Sequence, residues 1–174
     1  GNPAHPFGGL VGGAKVSDKV EMLDNIMGKV DFLFIGGGMA ATFLKVKSID
    51  VGKSLVEEDR LETAAKLMGM AQKNGVELLL PVDVVVATEI KPEAKGIIVP
   101  VEKIASDQRI VDIGPRTIDN FSAKLSTCKS VFWNGTMGIA EIPQFAQGTL
   151  AMGKLLAGLK ATTIIGGGST SEAV

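Results

Sequence analysis

Lys15 and Lys19 stand four residues apart, directly after a Gly12-Gly13 pair. In a helix that spacing puts both ammonium groups on one face of its first turn. A helix start already favours phosphate through its backbone N–H groups, so two lysines there would add charge to an anion site; solvated surface lysines are the alternative reading. Glycine turns recur further along. Phe32-Leu33-Phe34-Ile35 runs into Gly36-Gly37-Gly38, and Thr162-Thr163-Ile164-Ile165 runs into Gly166-Gly167-Gly168. A third apolar run, Ser130-Val131-Phe132-Trp133, breaks at Asn134-Gly135. Glycine turns readily at positive φ and lets a ligand approach the backbone. Glu141, shortly after Asn134-Gly135-Thr136-Met137-Gly138, is a carboxylate that either holds a sugar hydroxyl or faces solvent. Together these residues point to a phosphate- or nucleotide-binding edge.

Other chemistries are poorly supplied. His5 is the sole histidine, so one chain holds no histidine-based triad and no two-histidine metal site. It sits between Ala4 and Pro6, where a flexible surface position is expected. Cys128 is the sole cysteine, which excludes an intrachain disulfide; with no histidine near it in sequence, it reads as a buried, inert thiol. The chain has no tyrosine and one tryptophan, which argues against stacking platforms for single-stranded nucleic acid. A formal net charge of -1 provides no general field for nucleic acid or an anionic membrane. No apolar stretch reaches the roughly 18–20 residues of a membrane span, and no signal-peptide pattern opens the chain. The expectation is a soluble, cytoplasmic protein.

The elements that must position these residues alternate. Strands are expected near 8–11, 32–35, 76–80, 83–87, 96–99, 130–133 and 162–165. The first helix spans about 17–27, with Ser17 and Asp18 suited to its N-terminal turn. A short helix follows the first glycine triplet. Ser54-Leu55-Val56-Glu57 has the capping-box pattern of a long helix, in which Leu61, Ala64, Ala65 and Met68 recur at helical spacing and Asn74-Gly75 is the stop. Asp112-Ile113-Gly114-Pro115 reads as a loop into a helix reaching about 127, and a last helix covers about 143–157. Solidly apolar strands separated by helices predict an α/β fold: a three-layer αβα, Rossmann-like domain over 1–174, with a mainly parallel, six-stranded sheet. Right-handed crossovers would then gather the glycine turns on one edge.

Two familiar nucleotide motifs fit poorly. Gly36, Gly38 and Ala41 satisfy a loose dinucleotide fingerprint, but the acids at a suitable distance, Asp50 and Glu57-Glu58-Asp59, fall in a loop and a helix start. Gly52-Lys53-Ser54 ends like a phosphate loop, yet Lys47 stands where its first glycine belongs and no strand precedes it.

The segment Gly12-Gly13-Ala14-Lys15-Val16-Ser17-Asp18-Lys19, followed by Gly36-Gly37-Gly38-Met39-Ala40, resembles the nucleotide-binding, C-terminal half of phosphoglycerate kinases. Leu80-Pro81-Val82-Asp83, Asp112-Ile113-Gly114-Pro115 and Trp133-Asn134-Gly135 through Gly138 match that family in order and spacing. The resemblance implies one of two Rossmann-like lobes of an enzyme moving a phosphoryl group between 1,3-bisphosphoglycerate and ADP in glycolysis. ADP or ATP with Mg2+ would be the ligand. By the same resemblance Lys15 and Gly168 would be catalytic, and Lys19 and Asn134 would meet the phosphates. Glu141 would hold the ribose. Gly13, Gly37, Gly38, Leu55, Ile90 and Val111 would frame the base, and Ala14, Gly138 and Ile139 would also line the nucleotide site. Gly167, Gly168, Ser169 and Thr170 would form the phosphate and magnesium loop.

Three positions depart from the family pattern. Ser169 stands where an aspartate usually binds magnesium, and a hydroxyl is a weaker ligand for a hard cation. Thr136 replaces a usual proline and Ala140 a usual phenylalanine. The substrate lobe and the family's C-terminal tail have no counterpart in these residues. The expectation is therefore a monomer that binds nucleotide, with weak magnesium dependence and no turnover alone. A ligand-free assembly fragment and a dinucleotide-dependent oxidoreductase are the competing readings.

Overall fold

The computed structural model describes residues 2–166. Among them, eight strands and five α-helices follow one another: β1 Phe7–Val11, α1 Val20–Ile26, β2 Phe32–Ile35, α2 Ala40–Val46, α3 Leu61–Lys73, β3 Glu77–Leu79, β4 Asp83–Ala87, β5 Ile97–Pro100, β6 Arg109–Ile113, α4 Pro115–Leu125, β7 Ser130–Asn134, α5 Gln147–Gly158 and β8 Thr162–Gly166. β3, β2, β1, β7 and β8 lie side by side in that order, every pair parallel. The register aligns Val11 with Ile35 and with Asn134, so β1, β2 and β7 end level with one another.

Both faces of this sheet are covered, as its apolar strands require. One core contains Leu23, Met27, Leu33, Ile35 and Phe43; the other contains Leu10, Phe34, Phe121, Trp133 and Met152. The first lies under α1, α2 and α3, the second under α4 and α5. Phe34 and Phe121 meet edge to face with ring centroids 5.3 Å apart. The αβα layering is as expected.

The single six-stranded sheet is not formed among the described residues. Five strands make the parallel sheet, and β5, β4 and β6 make a separate antiparallel one. The expected loop at Asp112-Ile113 is instead β6, and its Asp112 is fully buried. An aspartate inside an apolar run breaks the strand signal, which conceals this element. Val84, Val86, Val101 and Ile104 build a further core that joins the small sheet to Ala41 and Leu44 of α2.

Several helix starts also differ from expectation. Ser17 and Asp18 lie in a single 3-10 turn, and α1 begins after Lys19 with no side-chain cap. The capping box at Ser54 is not formed, because α3 begins only at Leu61. Ser54 Oγ instead accepts the Ile110 N–H at 2.9 Å, and the Glu57 N–H donates to Thr42 Oγ1 at 3.2 Å. Both residues satisfy distant backbone or side-chain groups rather than their own helix. The Asn74-Gly75 stop is present, with Gly75 at φ +70°. The α4 and α5 starts are served across the fold. Asp83 of β4 accepts the N–H groups of Arg116 and Thr117 at 3.0 and 2.8 Å, and Asp112 of β6 accepts that of Gly148 at 3.0 Å.

His5 is tied down rather than loose. Its Nδ1 lies 2.6 Å from Asp31 Oδ2, although 57% of its side chain is exposed. Cys128 is buried, and that burial pushes its thiol up to about 11, as an inert core thiol requires. Among the described residues no helix is long and apolar enough to cross a membrane.

Candidate functional site

The chain leaves β1 toward β2 on one side, while the later β7 leads to β8 on the other. The carboxyl ends of β1 and β7 therefore flank the point where the strand order reverses, the usual ligand crevice of an open α/β sheet. Gly12-Gly13 leaves β1 there, Gly36-Gly37 leaves β2, and Gly135 follows β7.

These turns are knitted to each other. The Gly12 N–H donates to the Asn134 carbonyl at 2.8 Å, Gly13 to Thr136 at 3.0 Å, and Gly37 to Met137 at 3.0 Å; Met39 donates back to the Gly13 carbonyl at 3.0 Å. Gly37 has φ +69°, and a Cβ there would lie 2.6 Å from the Gly13 nitrogen and oxygen and 2.7 Å from the Thr136 carbonyl. Gly135, at φ +94°, would meet the Gly12 carbonyl at 2.2 Å. The glycines are needed because three backbones cross within van der Waals distance. The N–H groups of Gly13 and Gly37 are consumed in that weave, so they frame a ligand rather than bind one.

The two lysines are not presented as a helix face. Lys15 has extended backbone, with φ −133° and ψ 132°, and is exposed. Lys19 is half-buried at the reversal point, where its Nζ donates to Asn134 Oδ1 and lies beside Gly13. Burial holds its ammonium below the usual lysine value, partly offset by Asp18. A buried cation on a neutral amide gains when an anion arrives.

Between this weave and the small sheet lies a pocket of about 430 Å³. Gly13, Ala14, Gly37 and Gly38 form one side, Leu55, Ile90 and Val111 an apolar side, and Gly138, Ile139 and Glu141 a third. All of the described base- and ribose-framing candidates thus converge on one cavity, while Lys19 and Asn134 stand beside it at Gly13. Leu55 and Ile90 are 59% and 45% exposed, so the apolar side is open at its rim. Lys53, Ser54, Arg109, Ile110 and Thr136 also line it. Sequence reasoning assigns Ser54 to a cap and misses Arg109 and Ile110 with the unread strand. Thr136 bridges locally, its hydroxyl donating to the Gly138 carbonyl at 3.0 Å. Gly167, Gly168, Ser169 and Thr170 lie outside the described residues. Among the described residues, no three of histidine, cysteine, aspartate and glutamate come together as a metal site would need.

A larger groove of about 790 Å³ opens at the opposite, amino-terminal end of β1, β7 and β8, beside His5, Lys29, Phe132 and Ile164. It contains none of the candidate residues and lies away from the strand reversal.

Known proteins resemble this chain in both sequence and fold. The sequence model of the family described as phosphoglycerate kinase matches residues 1–174. A phosphoglycerate kinase of Syntrophobacter fumaroxidans is 46% identical over 99% of this chain, and one of a Synechococcus species is 49% identical over 99%. In both, the chain spans 44% of the relative's length. The solved structure of phosphoglycerate kinase from Coxiella burnetii superposes with a TM-score of 0.96 at 40% identity, covering 99% of this chain and 44% of that one. That from Pyrococcus horikoshii superposes with a TM-score of 0.84 at 25% identity, covering 98% and 44%.

Proposed function

This chain belongs to the phosphoglycerate kinase family, and from that premise we propose that it is the adenine-nucleotide-binding part of such a kinase. ADP or ATP occupies the 430 Å³ pocket, and the longer protein transfers a phosphoryl group between 1,3-bisphosphoglycerate and ADP. The observation that carries the reading is the convergence of Gly13, Gly37, Leu55, Ile90, Val111 and Glu141 on one cavity at the strand reversal. A volume of this size suits a nucleoside, since small-molecule pockets run from about 300 to 1,000 Å³.

In this reading the base lies against Leu55, Ile90 and Val111, and Glu141 takes the ribose hydroxyls. The phosphates leave past Gly13 toward Lys19 and Asn134. The Asn134 amide oxygen orients the Lys19 ammonium before the ligand arrives, and the phosphates replace that weak partner with a full charge. Phosphoryl transfer asks little covalent chemistry of the protein, so positioning and charge are what these residues supply. Lys15, exposed just beyond Ala14, would serve the transferring phosphoryl group. Mg2+, when bound, would supply positive charge to neutralise the phosphates, and Ser169 would be the residue to hold it. Ser169 in place of the family's usual aspartate makes its hold weak, so affinity for ADP depends little on the metal.

Calorimetric titration of the 174-residue chain with ADP, with and without magnesium, tests the reading. The expected result is saturable binding that magnesium improves only slightly, with no 3-phosphoglycerate-dependent consumption of ATP in a coupled assay. Absence of ADP binding sinks the nucleotide reading. A strong magnesium-dependent gain sinks the part resting on Ser169.

A further inference from the structure

Asp112 sits under the pocket wall without lining the pocket. Its side chain is fully buried, and it belongs to β6, the strand whose Val111 forms the apolar side. One carboxylate oxygen accepts the Ile113 N–H at 2.9 Å, and the other accepts the Gly148 N–H at the start of α5 at 3.0 Å. The Gln147 N–H is a further backbone donor to it. Asp112 thereby ties the small antiparallel sheet to the helix that follows the 135–146 loop.

That loop carries Gly138, Ile139 and Glu141 into the pocket, and it is clamped from below. The Ile139 N–H donates to the Val111 carbonyl at 2.9 Å. The space a Gly138 Cβ would take is closed by Asp112 Oδ1 and by the carbonyls of Phe145 and Val111, each 2.6 Å away. Gly148 is pressed against the same carboxylate oxygen, 2.6 Å from where its Cβ would be. The carboxylate is thus the spacer between the pocket wall and the α5 start. We propose that Asp112 is a positioning residue of the nucleotide site, fixing the Gly138-Ile139 wall against the base and ribose through its bonds to Ile113 and Gly148. This inference rests on the 430 Å³ pocket being a nucleotide site.

The ionised carboxylate offers only acceptors to those N–H groups. A protonated one turns one oxygen into a donor and lets a bond go, so the wall relaxes. Burial pushes the Asp112 carboxyl up to about 7, against the pull of the Gly148, Ile113 and Gln147 N–H groups. The change of state therefore falls near neutral pH. The ionisable side chains on the elements packed around it are Arg109 of β6, Asp83 of β4, Lys154 of α5 and Glu141 of the loop. Among the described residues, no ion pair or hydrogen bond joins Asp112 to any of them.

The test compares the parent chain with Asp112→Asn, titrating each with ADP and with adenosine from about pH 6 to 8.5, a range that brackets the ionisation of the buried carboxyl. Adenosine has no phosphate, so its profile excludes titration of the ligand's own anion. The parent is expected to bind adenosine several-fold more weakly at the acid end of that range than at the alkaline end. The folded Asp112→Asn variant, verified by circular dichroism, is expected to bind ADP about tenfold more weakly and to lose the pH dependence. A variant that merely melts earlier while binding both ligands as the parent does at every pH overturns the proposal. Should Asp112→Asn not fold, the parent's adenosine profile decides, and a flat profile overturns it. A parent that binds neither ligand removes the nucleotide reading itself; a parent that binds both beside an unchanged variant removes only the role of Asp112.

Discussion

Gly37 sits at φ +69° with the Gly13 backbone and the Thr136 carbonyl occupying the place of its missing Cβ, whereas Leu55, across the same pocket, leaves 59% of its surface in solvent. The two sides of the cavity follow opposite building rules. The glycine wall is over-determined: three turns exchange four backbone hydrogen bonds, and a side chain at Gly37 would displace two of them. The apolar rim is under-packed, with Leu55 and Ile90 left largely in solvent. Shape at the wall is therefore set by the fold, whereas the rim is free to adapt. Lys19 stands between these extremes, half-buried and held by one neutral partner, Asn134.

The contrast is broken most severely at the wall. Gly37→Ala forces a Cβ into backbone at positive φ, and we expect a loss of about 3 kcal/mol or more in denaturant unfolding. A loss below about 1 kcal/mol would mean that the weave is far looser than its distances. Lys19→Met comes next. It removes the buried cation and is expected to weaken ADP about tenfold, on the order of 1.5 kcal/mol, with little change in melting temperature.

The pH dependence of that interaction has a definite sign. Burial lowers the Lys19 pKa in the free protein, and bound phosphate favours the protonated form. Affinity for ADP should then be full below the lowered value and decline as pH rises through it, at lower pH than an ordinary lysine would produce. Calorimetry above roughly pH 8, where the phosphates are fully ionised, isolates this effect. The Lys19→Met variant should show no such decline. Leu55→Ala at the rim is the mildest case. Stability should stay within about 0.5 kcal/mol, while ADP binding falls roughly threefold because less apolar surface is left for the base to cover. A large stability loss there would erase the distinction between wall and rim.

Legibility in the sequence follows the same division. The five strands of the parallel sheet are readable in the sequence, and four of them run into glycine turns or into Asn134-Gly135. Their common edge follows from crossover handedness. In the small sheet β4 and β5 are readable near 83–87 and 96–99, but β6 is hidden because Asp112 interrupts its apolar run, and no local pattern announces that N–H groups at Ile113 and distant Gly148 will satisfy that carboxylate. Ser54 misleads for a related reason: its hydroxyl looks like a cap for the helix after it, but its partner is Ile110, 56 residues away. Spacing puts Lys15 and Lys19 on one helix face, but Lys15 has extended backbone and α1 begins only after Lys19, so no shared helix face forms.

What the residues alone settled is the identity of the turns and the chemistry gathered near them: glycines where backbones must cross, a cation at Lys19, an amide at Asn134, a carboxylate at Glu141. These are properties of residue type and order, and they survive any detail of packing. Which side chains meet was left to the tertiary structure. The weave spends the glycine N–H groups on neighbouring turns, the second sheet supplies the apolar side through Val111, and the Asp112 carboxylate packs beneath Gly138 in the third. Each of those outcomes depends on hydrogen bonds between residues far apart in the chain, and such pairings exist only once the layers are packed.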